Sequence, residues 1–263
     1  MLAVSPPVPD IAALALPRRA ILGVDVLAID GAAARALLAQ RLEAGAFTRV
    51  AFLNAHCANL AAERVDYRGA LAQFVVLPDG IGVDIAAQML FGARFPENLN
   101  GTDFVPALLA GIGRPLRIGL LGGEPGIVER AASNFAARLP QHRFLPVADG
   151  FFAPGEETDT VLAALEAAEL DVLLVGLGVP RQELFVARHL DRRHAALVLS
   201  IGALLDFTAG KVSRAPEMVR RARMEWVWRL GMEPKRMWRR YVLGNPRFLG
   251  RVAAEKLRRT RRA

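Results

Sequence analysis

The 263-residue chain contains a single cysteine, Cys57, which excludes an internal disulfide framework and a cysteine zinc cluster. That usage suits a reducing cytoplasm. No run of 18 or more apolar residues occurs, so no segment reads as a helix that spans a bilayer, and any membrane contact must be peripheral. The opening MLAVSPPVPDIAALALP puts no charged stretch before an apolar one and does not read as a signal peptide. Asp-x-Asp is absent, and with it the carboxylate pair that usually holds a metal-bound nucleotide sugar. His56, His142, His189 and His194 lack metal-ligand spacing. There is no G-x-S-x-G elbow of a hydrolase. There is also no G-x-G-x-x-G and no P-loop with its Lys-Ser/Thr, which weakens a dinucleotide oxidoreductase or triphosphatase reading.

What is present is unevenly distributed. From residue 211 onward there are 17 Lys+Arg against 4 Asp+Glu, a local charge of +13. Residues 1–210 hold 17 basic and 22 acidic groups, a charge of −5, and the two parts sum to the chain's +8. The same last 53 residues carry all three tryptophans and four of the six methionines. A mildly acidic body with a basic, aromatic tail is an electrostatic device for holding something anionic: a membrane face, a nucleic acid or a phosphorylated substrate.

The body alternates short apolar runs with helical patterns. The expected strands are Ile21–Leu27, Arg49–Leu53, Phe74–Leu77, Leu116–Leu121, Arg143–Val147, Val172–Val175 and Leu197–Ile201. They are mostly continuous apolar runs, as strands covered on both faces require. Helical spacing marks Ala32–Glu43, Ile81–Phe91, Gly126–Arg138, Thr160–Glu169 and Gln182–His189. The alternation predicts an α/β fold with a Rossmann-like, mostly parallel sheet flanked by helices, and a basic helical C-terminal appendage. The expected division is a flexible leader over 1–19, a catalytic domain over 20–210 and the appendage over 211–263. In the appendage, Pro216–Leu230 and Pro234–Leu243 each begin with the proline that suits a first helical turn, and a third basic segment starts at Asn245.

Ligands of open α/β sheets bind at the carboxyl ends of the strands, so the loops there carry the candidate chemistry. Asn54 follows the second strand and can orient a ligand or cap the next helix. Asp79, in Pro78-Asp79-Gly80-Ile81-Gly82, can act as a general base on a hydroxyl or cap a helix. Gly119-Leu120-Leu121-Gly122-Gly123-Glu124-Pro125-Gly126 is a loop of the kind that cradles a nucleotide diphosphate on a helix N-terminus. In Gly176-Leu177-Gly178-Val179-Pro180-Arg181-Gln182-Glu183, Arg181 can meet a phosphate and Gln182 a base or sugar, or the segment is a tight turn.

These residues, taken together and in order, resemble the WecG/TagA/CpsF glycosyltransferases (family 26) over roughly residues 21–248. The resemblance rests on Gly23-Val24-Asp25-Val26, Asn54, Pro78-Asp79-Gly80-Ile81-Gly82-Val83, Asn100-Gly101-Thr102-Asp103, Gly119–Gly123, Asp149-Gly150-Phe151-Phe152, Val175–Glu183, Ile201-Gly202-Ala203, Asp206-Phe207 and Ala209-Gly210. It implies an inverting, metal-independent transfer of a sugar from a UDP-sugar to a sugar on a polyprenyl diphosphate at the inner membrane face. Asp79 corresponds to the family's catalytic base and Gln182 to its donor-site glutamine. Gly80, Asn100, Asp103, Gly122, Gly123, Asp149, Gly178 and Arg181 fall in the same motifs and are expected to line the substrate site.

The resemblance also implies that the appendage closes over the site and touches an anionic membrane. Of its arginines, Arg214, Arg220, Arg221 and Arg223 can line the site and clamp a diphosphate, Arg214 and Arg221 being the expected site residues, or they form a solvated or headgroup-facing surface. Each Lys or Arg near such a membrane contributes about 1 kcal/mol. The expected enzyme is a UDP-sugar-dependent hexosyltransferase, transferring N-acetylmannosamine, its uronic acid or glucose, peripherally bound to the inner membrane, with no metal and no cofactor. A homo-oligomer is allowed. Two positions depart from the pattern: Phe52 stands where many relatives have Thr, and Asn98 where many have Arg. A nucleic-acid-binding protein with a basic arm is the alternative, but no nucleic-acid motif supports it and the tryptophans favour the membrane.

Overall fold

The computed structural model describes residues 15–221, 225–232 and 234–261. The chain opens with two short strands, β1 (Arg18–Ile21) and β2 (Val24–Leu27), followed by α1 (Gly31–Glu43) and β3 (Thr48–Leu53). Helices α2 (Ala55–Glu63) and α3 (Val65–Leu71) lead to β4 (Val75–Pro78), then α4 (Ile81–Phe91) and α5 (Gly101–Ala110). The second half runs β5 (Arg117–Gly122), α6 (Ile127–Arg138), β6 (Arg143–Ala148), α7 (Glu156–Ala167), β7 (Leu170–Gly176), α8 (Arg181–His189), β8 (Ala195–Ser200) and α9 (Leu204–Thr208). The basic C-terminal segment forms α10 (Glu217–Arg221), α11 (Glu225–Met232), α12 (Pro234–Trp238), a π-helical turn (Arg239–Leu243) and α13 (Gly244–Thr260).

Strands β3 to β8 form one six-stranded sheet in the order β4-β3-β8-β7-β5-β6, with every pair parallel. Five of the strands are buried on both faces, while the edge strand β6 buries only Phe144 fully, and alternate residues feed two cores. On β3, Val50 and Phe52 join the layer of α1, α5, α6 and α9, while Ala51 and Leu53 join the layer of α2, α3, α4, α7, α8 and α13. This is the arrangement that the continuous apolar runs require. Between β5 and β7 the connections leave in opposite directions, toward β6 and toward β8, which creates a crevice at the strands' carboxyl ends.

One expected strand, Ile21–Leu27, is corrected. It is a hairpin outside the parallel sheet, with Ile21 paired to Val24 and a reversal at Leu22 and Gly23. Both turn residues have positive φ, 49° and 81°, the conformation of a two-residue hairpin turn that matches strand twist. The leader falls largely outside the described residues.

The basic segment is not uniform. Helix α13 packs against α2 and α4 with Phe248 and Val252 fully buried. Polar contacts fasten it along its length. Asn59 donates to the Gly244 carbonyl (2.8 Å), Arg251 reaches Asn59 Oδ1 (2.9 Å) and Glu63 (2.7 Å), and Glu255 accepts from Leu22 N (3.2 Å). Among the described residues, the stretch between Ala215, itself buried, and α13 is therefore an excursion tied to the body at both ends, with Met237 buried within it.

Candidate functional site

The carboxyl ends of β3 and β4 bring Asn54 and Asp79 together. The Asp79 amide donates to the Leu53 carbonyl (2.9 Å), which draws the exit of β4 toward the residue preceding Asn54. Asn54 takes the capping role and also reaches Asp79. Its Oδ1 accepts from the His56 and Cys57 amides (3.1 Å each), capping α2, and its Nδ2 donates to Asp79 Oδ2 (3.3 Å). Asp79 does not cap α4. The cap position is Gly80, with φ 89° and no side-chain bond, so the carboxylate remains available to a ligand. Burial pushes the Asp79 carboxyl above its ordinary range. The Asn54 hydrogen bond and the charges of Arg240 and Arg229 pull it back, and Asp103 adds to the rise.

Those arginines come from the C-terminal excursion, and neither was anticipated in the sequence. Arg229 lies four residues after Glu225, a spacing that puts both on one helix face. Arg240 sits in the π-helical turn, which has no sequence signature. Arg229 lies over the Phe207 ring at 5.6 Å. The expected Arg214 makes a two-pronged pair with Asp103 (2.6 and 2.7 Å), and Asn100 holds Asp103 through its own amide (3.0 Å) while capping α5. The Nε atoms of Arg214, Arg229 and Arg240 and the Trp228 Nε1 are buried without a hydrogen-bond partner among the described residues. Inward-facing guanidinium and indole donors beside a carboxyl are suited to an anion. The side chains of Arg220 and Arg221, and Arg223 entirely, lie outside the described residues.

The glycines divide into two kinds. A Cβ on Gly122 would stand 2.4 Å from the Gly176 carbonyl oxygen, and one on Gly123 2.7 Å from Ile127, so both are glycine where the β5 and β7 loops pack. Gly80, Gly178 and Gly202 also have positive φ, but nothing lies within 4 Å of the side a Cβ would occupy. Open backbone therefore lines the strand ends from β4 to β8, where a substrate can approach closely.

The remaining expected residues brace these loops. Arg181 donates to the Gly150 and Phe152 carbonyls (2.5 and 2.9 Å) and lies over the Phe152 ring, and Asp149 Oδ1 accepts from the Phe151 amide (2.8 Å). Gln182 is only 2% exposed. Its Nε2 donates to Glu183 Oε1 (2.8 Å) and its Oε1 accepts from Gly202 N (3.3 Å), tying the β7 loop to the β8 loop. Glu183 is 1% exposed, and burial pushes its carboxyl up to about 7. Burial and the Glu183 charge push the Cys57 thiol up to about 11, so it is not a nucleophile at neutral pH. Phe52 packs beneath Gly101 and edge-on to Phe104, and forms part of the core. Among the described residues no three His, Cys, Asp or Glu side chains gather as metal ligands, and no helix is long and apolar enough to cross a membrane.

Residues 19–262 match the family described as "Glycosyl transferase WecG/TagA/CpsF family". Among similar proteins is the N-acetylglucosaminyldiphosphoundecaprenol N-acetyl-beta-D-mannosaminyltransferase of Bacillus subtilis (strain 168), 29% identical over 182 residues, which are 69% of this chain and 69% of that protein. A protein of the same name from Bacillus spizizenii is 28% identical over 178 residues, 67% of each chain.

Proposed function

The chain belongs to the WecG/TagA/CpsF family of glycosyl transferases, and from that premise we propose that it transfers a hexosyl group, with inversion, from a UDP-sugar to a sugar carried on a polyprenyl diphosphate. The observation that carries this reading is Asp79: a half-buried carboxylate at a strand end, held by Asn54 and faced by guanidinium groups from a separate segment. Asp79 takes the proton of the acceptor hydroxyl. The freed oxygen attacks the anomeric carbon of the donor from the face opposite the leaving group. The bond to the diphosphate breaks, and UDP departs with the electron pair. Arg229, Arg240 and Arg214 stabilise the charge that develops on it, assisted by the backbone amides at open strand ends. On this reading no metal is required. The names of both relatives favour an N-acetylmannosaminyl donor and an N-acetylglucosaminyl-diphospholipid acceptor.

Membrane association follows from the same reading. Trp226 is half-buried against Tyr241, and Trp228 turns its Nε1 inward, so two of the three tryptophans serve the packing of the excursion. Trp238 (47% exposed) with Val242 and Leu243 forms the apolar patch that would rest among anionic headgroups, with the basic residues around it.

The test is UDP release from UDP-N-acetylmannosamine, its uronic acid and UDP-glucose, with and without a synthetic sugar-diphospho-polyprenol, each in chelator and in added Mg²⁺. Acceptor-dependent release with one donor, unaffected by chelator and lost in Asp79→Asn, is expected. Release that persists in Asp79→Asn, or that needs the metal, overturns the base assignment or the metal-free chemistry respectively.

A further inference from the structure

The turn that carries Asp79 is gripped from two sides, and only one grip belongs to the motifs already discussed. On the other side, Asn98 Oδ1 accepts a hydrogen bond from the Gly80 amide at 2.6 Å. The next residue reinforces it, since the Leu99 amide donates to the Pro78 carbonyl at 2.8 Å. Residues 78 and 80, the two neighbours of Asp79, are thus both bonded to the 98–99 segment. That segment is itself held. Phe95 and Leu99 are buried in the two cores, Glu97 Oε2 accepts from the Gly31 amide (2.7 Å), and Asn100 caps α5.

Gly80 needs this support. Its backbone (φ 89°, ψ 163°) lies in a region only glycine readily occupies, and such a conformation persists where surrounding contacts over-determine it. An amide has one carbonyl oxygen and one NH₂. With the oxygen fixed on Gly80 N, the Nδ2 lies within about 5 Å of that nitrogen, and it takes no protein partner among the described residues.

We propose that Asn98 is a positioning residue: its bond to the Gly80 amide sets the aim of the Asp79 carboxylate, as Asn54 does through direct contact. The inference rests on the reading of Asp79 as the base. It concerns this chain's own asparagine, at a position where the family pattern commonly has another residue.

Two substitutions separate positioning from mere structure. Asn98→Ala removes the acceptor. Asn98→Asp keeps an oxygen for the Gly80 amide but replaces the neighbouring NH₂ with negative charge. Each is measured beside wild type and Asp79→Asn for kcat, donor KM, the pH profile of kcat/KM and thermal unfolding.

A base displaced by a fraction of an ångström loses rate rather than affinity, so Asn98→Ala is expected to lower kcat roughly ten- to a hundredfold with donor KM within about twofold of wild type. Asn98→Asp is expected to recover most of that kcat at high pH. It should also move the acid limb of its profile upward, because a like charge near Asp79 raises the carboxyl's affinity for protons. Wild-type kcat in Asn98→Ala overturns the proposal. So does an equal loss in both variants with no displacement of the acid limb. If Asn98→Ala does not fold, Asn98→Asp decides: an unmoved limb overturns the proposal and a raised limb supports it. If Asp79→Asn remains active, the base assignment has failed, and the Asn98 proposal with it. If Asp79→Asn is inactive and only the Asn98 expectations fail, the base assignment stands alone.

Discussion

As the proposed base, Asp79 must be ionised, and burial holds its proton more tightly than an exposed aspartate would. The rate is therefore expected to fall as pH drops through a value above the ordinary aspartate range. A profile of kcat/KM whose acid limb sits at or below that range would remove Asp79 from the role. Glu183 gives a second titration, in stability. Its folded-state value of about 7 exceeds the ordinary 4.5, so its stabilising contribution is present below about 4.5 and is lost as pH rises through about 7. Glu183→Gln removes this dependence. Its melting temperature relative to wild type should climb between those pH values and level off above them. At this scale the sequence was legible where a side chain reaches into its own strand-end loop, as Asn54 and Asp79 do. It was silent on Arg229 and Arg240, because what brings them to Asp79 is the path of the C-terminal excursion rather than a local spacing.

Element boundaries within the parallel sheet were legible because strands buried on both faces leave continuous apolar runs, and the expected helix Ile81–Phe91 coincides with α4. The hairpin at Leu22-Gly23 was not, because its apolar residues run on through the turn and resemble one strand. Helix α13 was hidden differently: its basic composition masks two residues, Phe248 and Val252, that belong to the core. Phe248 fills a slot beside Gly82 on α4, so Phe248→Ala is expected to cost about 3–5 kcal/mol, read from denaturant unfolding. Arg214 should behave otherwise. Its pair with Asp103, which is 52% exposed, is worth about 0.2–1 kcal/mol to global stability. Arg214→Ala should leave the melting temperature nearly unchanged while amide exchange in α11 accelerates.

Taken as a whole, the molecule has an acidic body and a basic segment, yet that segment cannot be cut away as a unit. Deleting residues 211–263 would strip α13 from α2 and α4 and expose their apolar faces, so the truncated protein is expected to melt earlier and aggregate. Trp238→Ser/Val242→Ser/Leu243→Ser is the cleaner test of membrane contact: sedimentation with anionic vesicles should drop, and thermal stability should hold. Pelleting unchanged from wild type would place the contact elsewhere. The charge asymmetry behind this expectation could be counted from the sequence. The return of the chain to the body could not, since it depends on long-range packing.

That return also bears on how the protein is made. A chain emerging from the ribosome folds from its N-terminal part first. All six strands of the sheet, Asn54 and Asp79 are synthesised before α13, whose Phe248 lies against the helix that begins just after Asp79. The nascent chain therefore holds Asp79 on an unfinished wall, and both the arginines and the final helix arrive after the sheet. On the proposed assignment of Asp79 and the arginines, catalytic competence is the last property the chain acquires during synthesis, so a ribosome-bound intermediate halted before residue 244 is expected to carry a formed sheet and no transferase activity.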